Sequence, residues 1–190
     1  MATSAETKKA LSDALKKLCT DKDYNDISVS EITSECHLNR QSFYYHFKDK
    51  NELLYWTYEN NDFGILSNNL NQQYKRKFLY LLKAMENEKS FYINTLKSDL
   101  KVFQKFLFNK ISSMFSTQID EMDKNNSLTE QQKSFLAGYY AFGLCGIIVK
   151  WVYDGMEENA ETVDSYIRCL DLQSVFDIYF KNNFKGQQPN

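Results

Sequence analysis

Chain breakers are scarce in this sequence. Its 190 residues include six glycines and a single proline, Pro189, beside the C-terminus. That leaves little turn chemistry for a hairpin-rich fold and little to interrupt helices. Long β-branched alternation is missing too, whereas apolar residues recur every three or four positions, the helical period. The four cysteines, Cys19, Cys36, Cys145 and Cys169, form no CxxC pair, so neither a zinc knuckle nor a redox pair is indicated. Cys36, His37 and His46 could in principle supply three ligands. A helical cysteine is more simply a small buried hydrophobe, and no metal or cofactor is expected. There are only two histidines and no GxSxG, HExxH or P-loop, and Gly138, Gly143 and Gly146 lack the Lys-Ser/Thr that a phosphate loop needs. Catalysis is not expected. "MATSAETKKALSDALKKL" lacks the apolar core of a signal peptide. The longest uncharged run, Ser134 to Val149, falls short of the ~20 residues that span a bilayer. The expectation is a cytoplasmic protein with no membrane association.

The chain does have hydrophobic residues (43%) and aromatic ones (15%), enough to build a substantial helical core. A net charge of −2 gives no hint of a polyanion partner, but affinity for phosphate depends on where charge sits. Arg40, Lys48 and Lys50 face only Asp49 in their stretch, whereas Asp154, Glu157, Glu158, Glu161 and Asp164 run without a cation. Charge is polarised along the chain.

Periodicity predicts a first helix from about Ser4 to Cys19, with Ala10, Leu11, Ala14, Leu15 and Leu18 as its stripe. Ser28 and Glu31 have capping-box spacing at the start of a short second helix. Asn39 is a good N-cap for a third helix, Arg40 to Phe47, and Asp49 with Glu52 launches a fourth. Two short helices joined by a tight turn after an amphipathic helix make a helix-turn-helix, whose second helix enters the DNA major groove. The block Phe43-Tyr44-Tyr45-His46-Phe47 fits that geometry. Side chains advance about 100° per residue, so Phe43 and Phe47 share an inner face while Tyr44, Tyr45 and His46 are left to face the duplex or the seam with the next helix. Arg40, Gln41 and Ser42 lie in the first turn, best placed for base edges. Tyrosine hydroxyls, the imidazole, Lys48 and Lys50 can donate to phosphates. An interaction protein whose helix-turn-helix docks protein is the competing reading, against which stand these phosphate donors.

"SVSEITSECHLNRQSFYYHFKDKNELL" resembles the N-terminal signature of the TetR family of bacterial transcriptional regulators, over about Ser4 to Tyr58. The resemblance implies that Arg40, Gln41, Ser42 and Tyr45 contact bases, while Ser28, Ser30, Tyr44, His46 and Lys50 hold the phosphate backbone. This chain departs from the usual pattern in having His37 where the turn has glycine, and Thr33 where the preceding helix has alanine. A left-handed backbone is costly for histidine, though less so than for most residues.

The expected architecture is all-α. A three-helix helix-turn-helix domain spans residues 1–50, a helical domain for effector or partner binding and dimerisation spans 51–185, and 186–190 form a tail. A helix from about 50 to 68 connects the two domains. Between Phe135 and Val149 the chain is apolar on every side, which implies burial on both faces. Ala137, Ala141 and Cys145 recur every four residues and would admit a second helix closely. With Ile148, and with Ile167 and Leu170 of the last helix, they are the expected interface of a twofold homodimer reading an inverted-repeat operator. Phe103, Phe106, Met114, Phe115, Tyr139, Tyr140 and Phe142 fit either a plain core or a pocket for a small-molecule effector. "NRQSFYYHFKDKNELLYWTYEN", together with "SFYINTLKSD" and "GLCGIIVKWVYDGM", is similar to the subgroup of the family that contains dihydroxyacetone-kinase operon activators. That similarity implies an activator working with a protein coactivator.

Overall fold

The computed structural model describes residues 3–60 and 74–169, with side chains from Phe78 onward in the second stretch. Described residues form α1 (Ser4–Asp21), a 3-10 turn (Tyr24–Asp26), α2 (Val29–Glu35), α3 (Arg40–His46), α4 (Lys50–Asn60), α5 (Tyr74–Asn87), α6 (Lys89–Ser98), α7 (Leu100–Met122), α8 (Glu130–Tyr153) and α9 (Ala160–Cys169). None of them is in a strand. The expected tail, Leu170 and the far end of the connecting helix lie outside the described residues.

Local chemistry sets most boundaries. Thr3 and Glu6 close a capping box on α1, Ser28 and Glu31 on α2, and Thr129 and Gln132 on α8; each satisfies amides that a helix start leaves orphaned. Asn39 Oδ1 accepts the Ser42 N–H at 2.8 Å to start α3. Asp49 caps α4 through the Glu52 N–H, but the Glu52 carboxylate accepts from Lys48 N–H, one residue earlier than a capping box would place it. Between α2 and α3 the backbone turns left-handed at His37, φ 56°. There Leu38 N–H donates to Thr33 O at 2.8 Å and His37 N–H to Ser34 O at 3.1 Å, the paired closure that ends a helix at a left-handed residue. Thr33, buried in place of the usual alanine, returns its hydroxyl to Val29 O at 3.0 Å and leaves nothing unsatisfied.

Leu11 and Leu15 of α1, Ile32 of α2, Phe43 of α3, Phe47 just past its end and Leu53 of α4 bury together as the core of the helix-turn-helix. At roughly 1.5–3 kcal/mol for each large side chain fully buried, they hold three short helices that would not persist alone. α4 then runs into the second body. There Tyr58 stacks on Tyr92 and Phe106, with ring centroids 5.7 and 5.2 Å away. Its buried hydroxyl donates to Thr95 Oγ1 at 2.7 Å. α8 packs on α7 and α6, and α9 on α5.

By length and composition α8 could cross a membrane. Here its apolar surface divides into two faces. Ala137, Ala141, Leu144, Cys145 and Ile148 are buried within the chain, because small side chains let α7 come close. This corrects the expectation that Ala137, Ala141, Cys145 and Ile148 meet a partner helix, and Ile167 is likewise buried in its own chain. The outward stripe is Phe135, Tyr139, Phe142 and Tyr153, between 65% and 73% exposed, with Ile147 on its flank. Of the aromatics that suggested a pocket, Phe103, Phe106, Phe115 and Tyr140 are core, and Tyr139 and Phe142 lie on this outer surface.

Candidate nucleic-acid interface

α3 presents two opposed faces. Phe43 and Phe47 are buried, their centroids 5.9 Å apart, and Phe47 meets Trp56 of α4 edge-on at 5.9 Å. Opposite them Gln41 and Tyr45 stand in solvent, Tyr45 at 83% exposure. On one flank Tyr44 is edge-on to Phe43, and the Arg40 guanidinium lies 5.9 Å from the Tyr44 ring centroid, Nη2 donating to its hydroxyl at 3.5 Å. On the other flank the half-buried His46 sits edge-to-face with Tyr45 at 4.9 Å. The half-buried Ser42 gives its hydroxyl proton to Asn39 Oδ1 at 3.1 Å. Tyr45 is thus propped by one ring and Tyr44 by another, which limits the rotamer freedom they would lose on meeting a surface. The exposed face offers guanidinium and carboxamide groups, suited to bidentate base-edge contacts, beside phenolic donors suited to phosphates.

Around α3 the other expected residues divide. Ser30 and Lys48 are exposed. The Ser28 hydroxyl works in the α2 capping box: its oxygen accepts Glu31 N–H at 3.2 Å and its proton goes to Glu31 Oε2 at 2.8 Å. Lys22, paired with Glu31, and the Ser28 donors hold the Glu31 carboxyl down at about 2. Lys50 differs from its expected role as a phosphate contact. Its ammonium donates to Tyr24 O, to Ile27 O at 2.7 Å and to Asn25 O at 3.4 Å, over the Tyr24 ring at 4.2 Å. All three protons are engaged in closing the loop before α2, and desolvation lowers its pKa. Spacing alone could not have found these partners, which lie 23 to 26 residues away.

Cys36, His37 and His46 do not converge: Cys36 Sγ donates to Ile32 O at 3.2 Å and His37 is exposed. Among the described residues no three His, Cys, Asp or Glu side chains gather as metal ligands would.

A short helix with a buried aromatic back and a basic, phenolic front, locked by a tight turn to a second helix, defines the helix-turn-helix class of transcriptional regulator. Residues 11–55 match the family described as bacterial regulatory proteins, tetR family. Residues 72–168 match the transcriptional regulator C-terminal region of TetR proteins. The chain belongs to the TetR family and is a transcriptional regulator of that family. It is 31% identical over 179 residues to the HTH-type dhaKLM operon transcriptional activator DhaS of Lactococcus lactis subsp. lactis (strain IL1403), covering 92% of this chain and 94% of that one. A solved dihydroxyacetone kinase operon activator DhaS superposes with a TM-score of 0.71 at 28% identity, over 90% of this chain and 97% of the other. A transcriptional regulator from Aquifex aeolicus VF5 shares the fold alone, at TM-score 0.54 and 21% identity, over 85% of this chain and 95% of that one.

Proposed function

We propose that this regulator binds an inverted-repeat operator as a homodimer, with Arg40, Gln41 and Tyr45 reading bases and Ser30, Tyr44, His46 and Lys48 positioned for phosphates. The observation that carries this is the front of α3, polar and solvent-exposed while its back is buried. Ser42, half-buried beside Asn39, serves the bases from the edge of that front, and Ser28 acts chiefly by fixing the start of α2. The second copy docks on the outer stripe of α8. Phe135, Tyr139 and Phe142 follow one another at helical spacing, and Gly146 on the same face has no neighbour within 4 Å of where a Cβ would sit, so a helix can approach closely. Selection from a random duplex pool at low salt tests the reading. A twofold-symmetric enriched site is expected, and no enrichment of any duplex overturns it.

The 31% identity over nearly the full length favours a second reading, of what the binding accomplishes. On it, this chain activates an operon of dihydroxyacetone-kinase type and receives its signal from a protein coactivator on the C-terminal body. The competing input is a small-molecule effector. Among the described residues, the cavity beside Phe78, Met114, Phe115 and Gln118 has about 10 Å³, too small for a metabolite, whereas an open groove lined by Lys16, Thr20, Glu88 and Phe91 has about 340 Å³, the size of a small ligand site. In-vitro transcription from the selected site, with and without candidate metabolites, separates the two inputs.

A further inference from the structure

α6 reaches across to the helix-turn-helix through one carboxamide. Asn94, half-buried on α6, accepts the Tyr24 N–H on Oδ1 at 2.8 Å. Its Nδ2 donates to Cys19 O at 3.0 Å and to Lys22 O at 2.6 Å. Cys19 and Lys22 sit at the end of α1, where the last carbonyls of a helix have no intrahelical partner. Tyr24 begins the 3-10 turn on the other side of the bend. Both amide protons and the amide oxygen of Asn94 are therefore engaged, with backbone on both sides of that bend.

A second path runs beside it. The Tyr24 hydroxyl donates to Asn51 Oδ1 at 2.6 Å, and Asn51 Nδ2 donates to Asp99 Oδ2 at 3.1 Å, where Asp99 caps α7. On its far side the same turn is held by Lys50, and it leads directly into the cap of α2. Whatever fixes Tyr24 thus fixes the angle at which α2 and α3 leave the second body.

We propose that Asn94 is a positioning residue for operator recognition: it clamps the bend between α1 and the 3-10 turn to α6, so that two reading heads in a dimer keep the separation an inverted repeat demands. The proposal rests on the reading of the protein as a dimer on a twofold site. Asn94 touches no DNA in this scheme. It acts by orienting a rigid head, and a half-site, which needs only one head, is indifferent to it.

The test uses full-length protein and the duplex enriched by the wild type from a random pool, together with a single half-site cut from it. If the wild type enriches nothing, the operator reading fails and not the clamp. Asn94→Ala should weaken binding to the full duplex by about tenfold while half-site affinity stays within about twofold. No loss on the full duplex, or equal loss on both duplexes, overturns the proposal. Should the alanine variant fold poorly, Asn94→Asp decides. It keeps the acceptor for Tyr24 N–H but turns a carboxylate toward two carbonyl oxygens, and it regains a donor only on protonation. At neutral pH it should therefore also lose affinity for the full duplex, by about tenfold, with half-site affinity within about twofold of wild type. Wild-type affinity for the full duplex, or equal loss on both duplexes, overturns the clamp.

Discussion

Replacing His37 by glycine should stabilise the protein by roughly 0.5–1 kcal/mol, since the exposed imidazole packs on little and the residue sits at φ 56°. Urea unfolding monitored by circular dichroism measures the gain. Arg40→Ala or Gln41→Ala should weaken the selected site by about 1–3 kcal/mol and blur one position of it, as lost base-edge contacts do. The two lysines beside α3 should separate cleanly. Lys48→Ala should weaken all duplexes alike and flatten the salt dependence by about one unit. Lys50→Ala should leave that slope unchanged and cost about 1–3 kcal/mol of folding stability, because the ammonium that bridges three loop carbonyls is lost and Tyr24 O keeps only the Ile27 N–H. Titrating salt in a fluorescence-anisotropy assay distinguishes them.

At the scale of the element, α8 supplies the sharpest contrast between adjacent positions. Ala141→Glu puts a charge into a fully buried contact and should unfold the second body, a loss of more than about 3 kcal/mol. Phe142→Glu, on a side chain 71% exposed against Phe108, should leave a folded chain that sediments as a monomer. A Phe142→Glu protein that remains dimeric would move the interface off this face. α9 carries a different liability. Asp164 is buried with neither carboxylate oxygen hydrogen-bonded, and Arg168 Nε stands 2.9 Å from Oδ2 as an ion pair out of line. Burial raises its pKa, Glu161 adds to the rise and Arg168 opposes it. The folded state therefore holds this proton more tightly than the unfolded chain. Asp164's contribution to stability should grow as pH falls from neutral toward the ordinary carboxyl pKa of about 3.9. Asp164→Asn should abolish that acid-side gain in a series of thermal melts.

The helix starts at Ser28 and Asn39 were legible in the sequence because cap and capped amide lie two or three residues apart. The division of the aromatic block on α3 was legible because helical pitch alone assigns its faces. On α8 both faces are apolar, so periodicity could not choose between them. The small residues that suit any close helix proved to suit α7. Lys50 and Asn94 were equally opaque, since their partners are carbonyls more than twenty residues away that only the tertiary fold brings near.

For the whole molecule the question is how the second body's state reaches α3. A ligand shifts an equilibrium only through unequal affinity for its two states. If a free metabolite is the input, the protein's melting temperature should rise with its concentration, and a clear hit in a thermal-shift screen on the protein alone would remove the coactivator reading. Silence across the screen, with activation in vitro restored by a second protein, is the outcome expected of an activator of dihydroxyacetone-kinase type. The aromatic stripe on α8 also bears on gene dosage. If a second copy is what covers Phe135, Tyr139 and Phe142, then at scarce expression the population of DNA-competent particles grows as the square of the number of chains made. A twofold rise in synthesis would yield close to a fourfold rise in operator occupancy, so the promoter would respond to its regulator with a threshold that no contact on the DNA supplies.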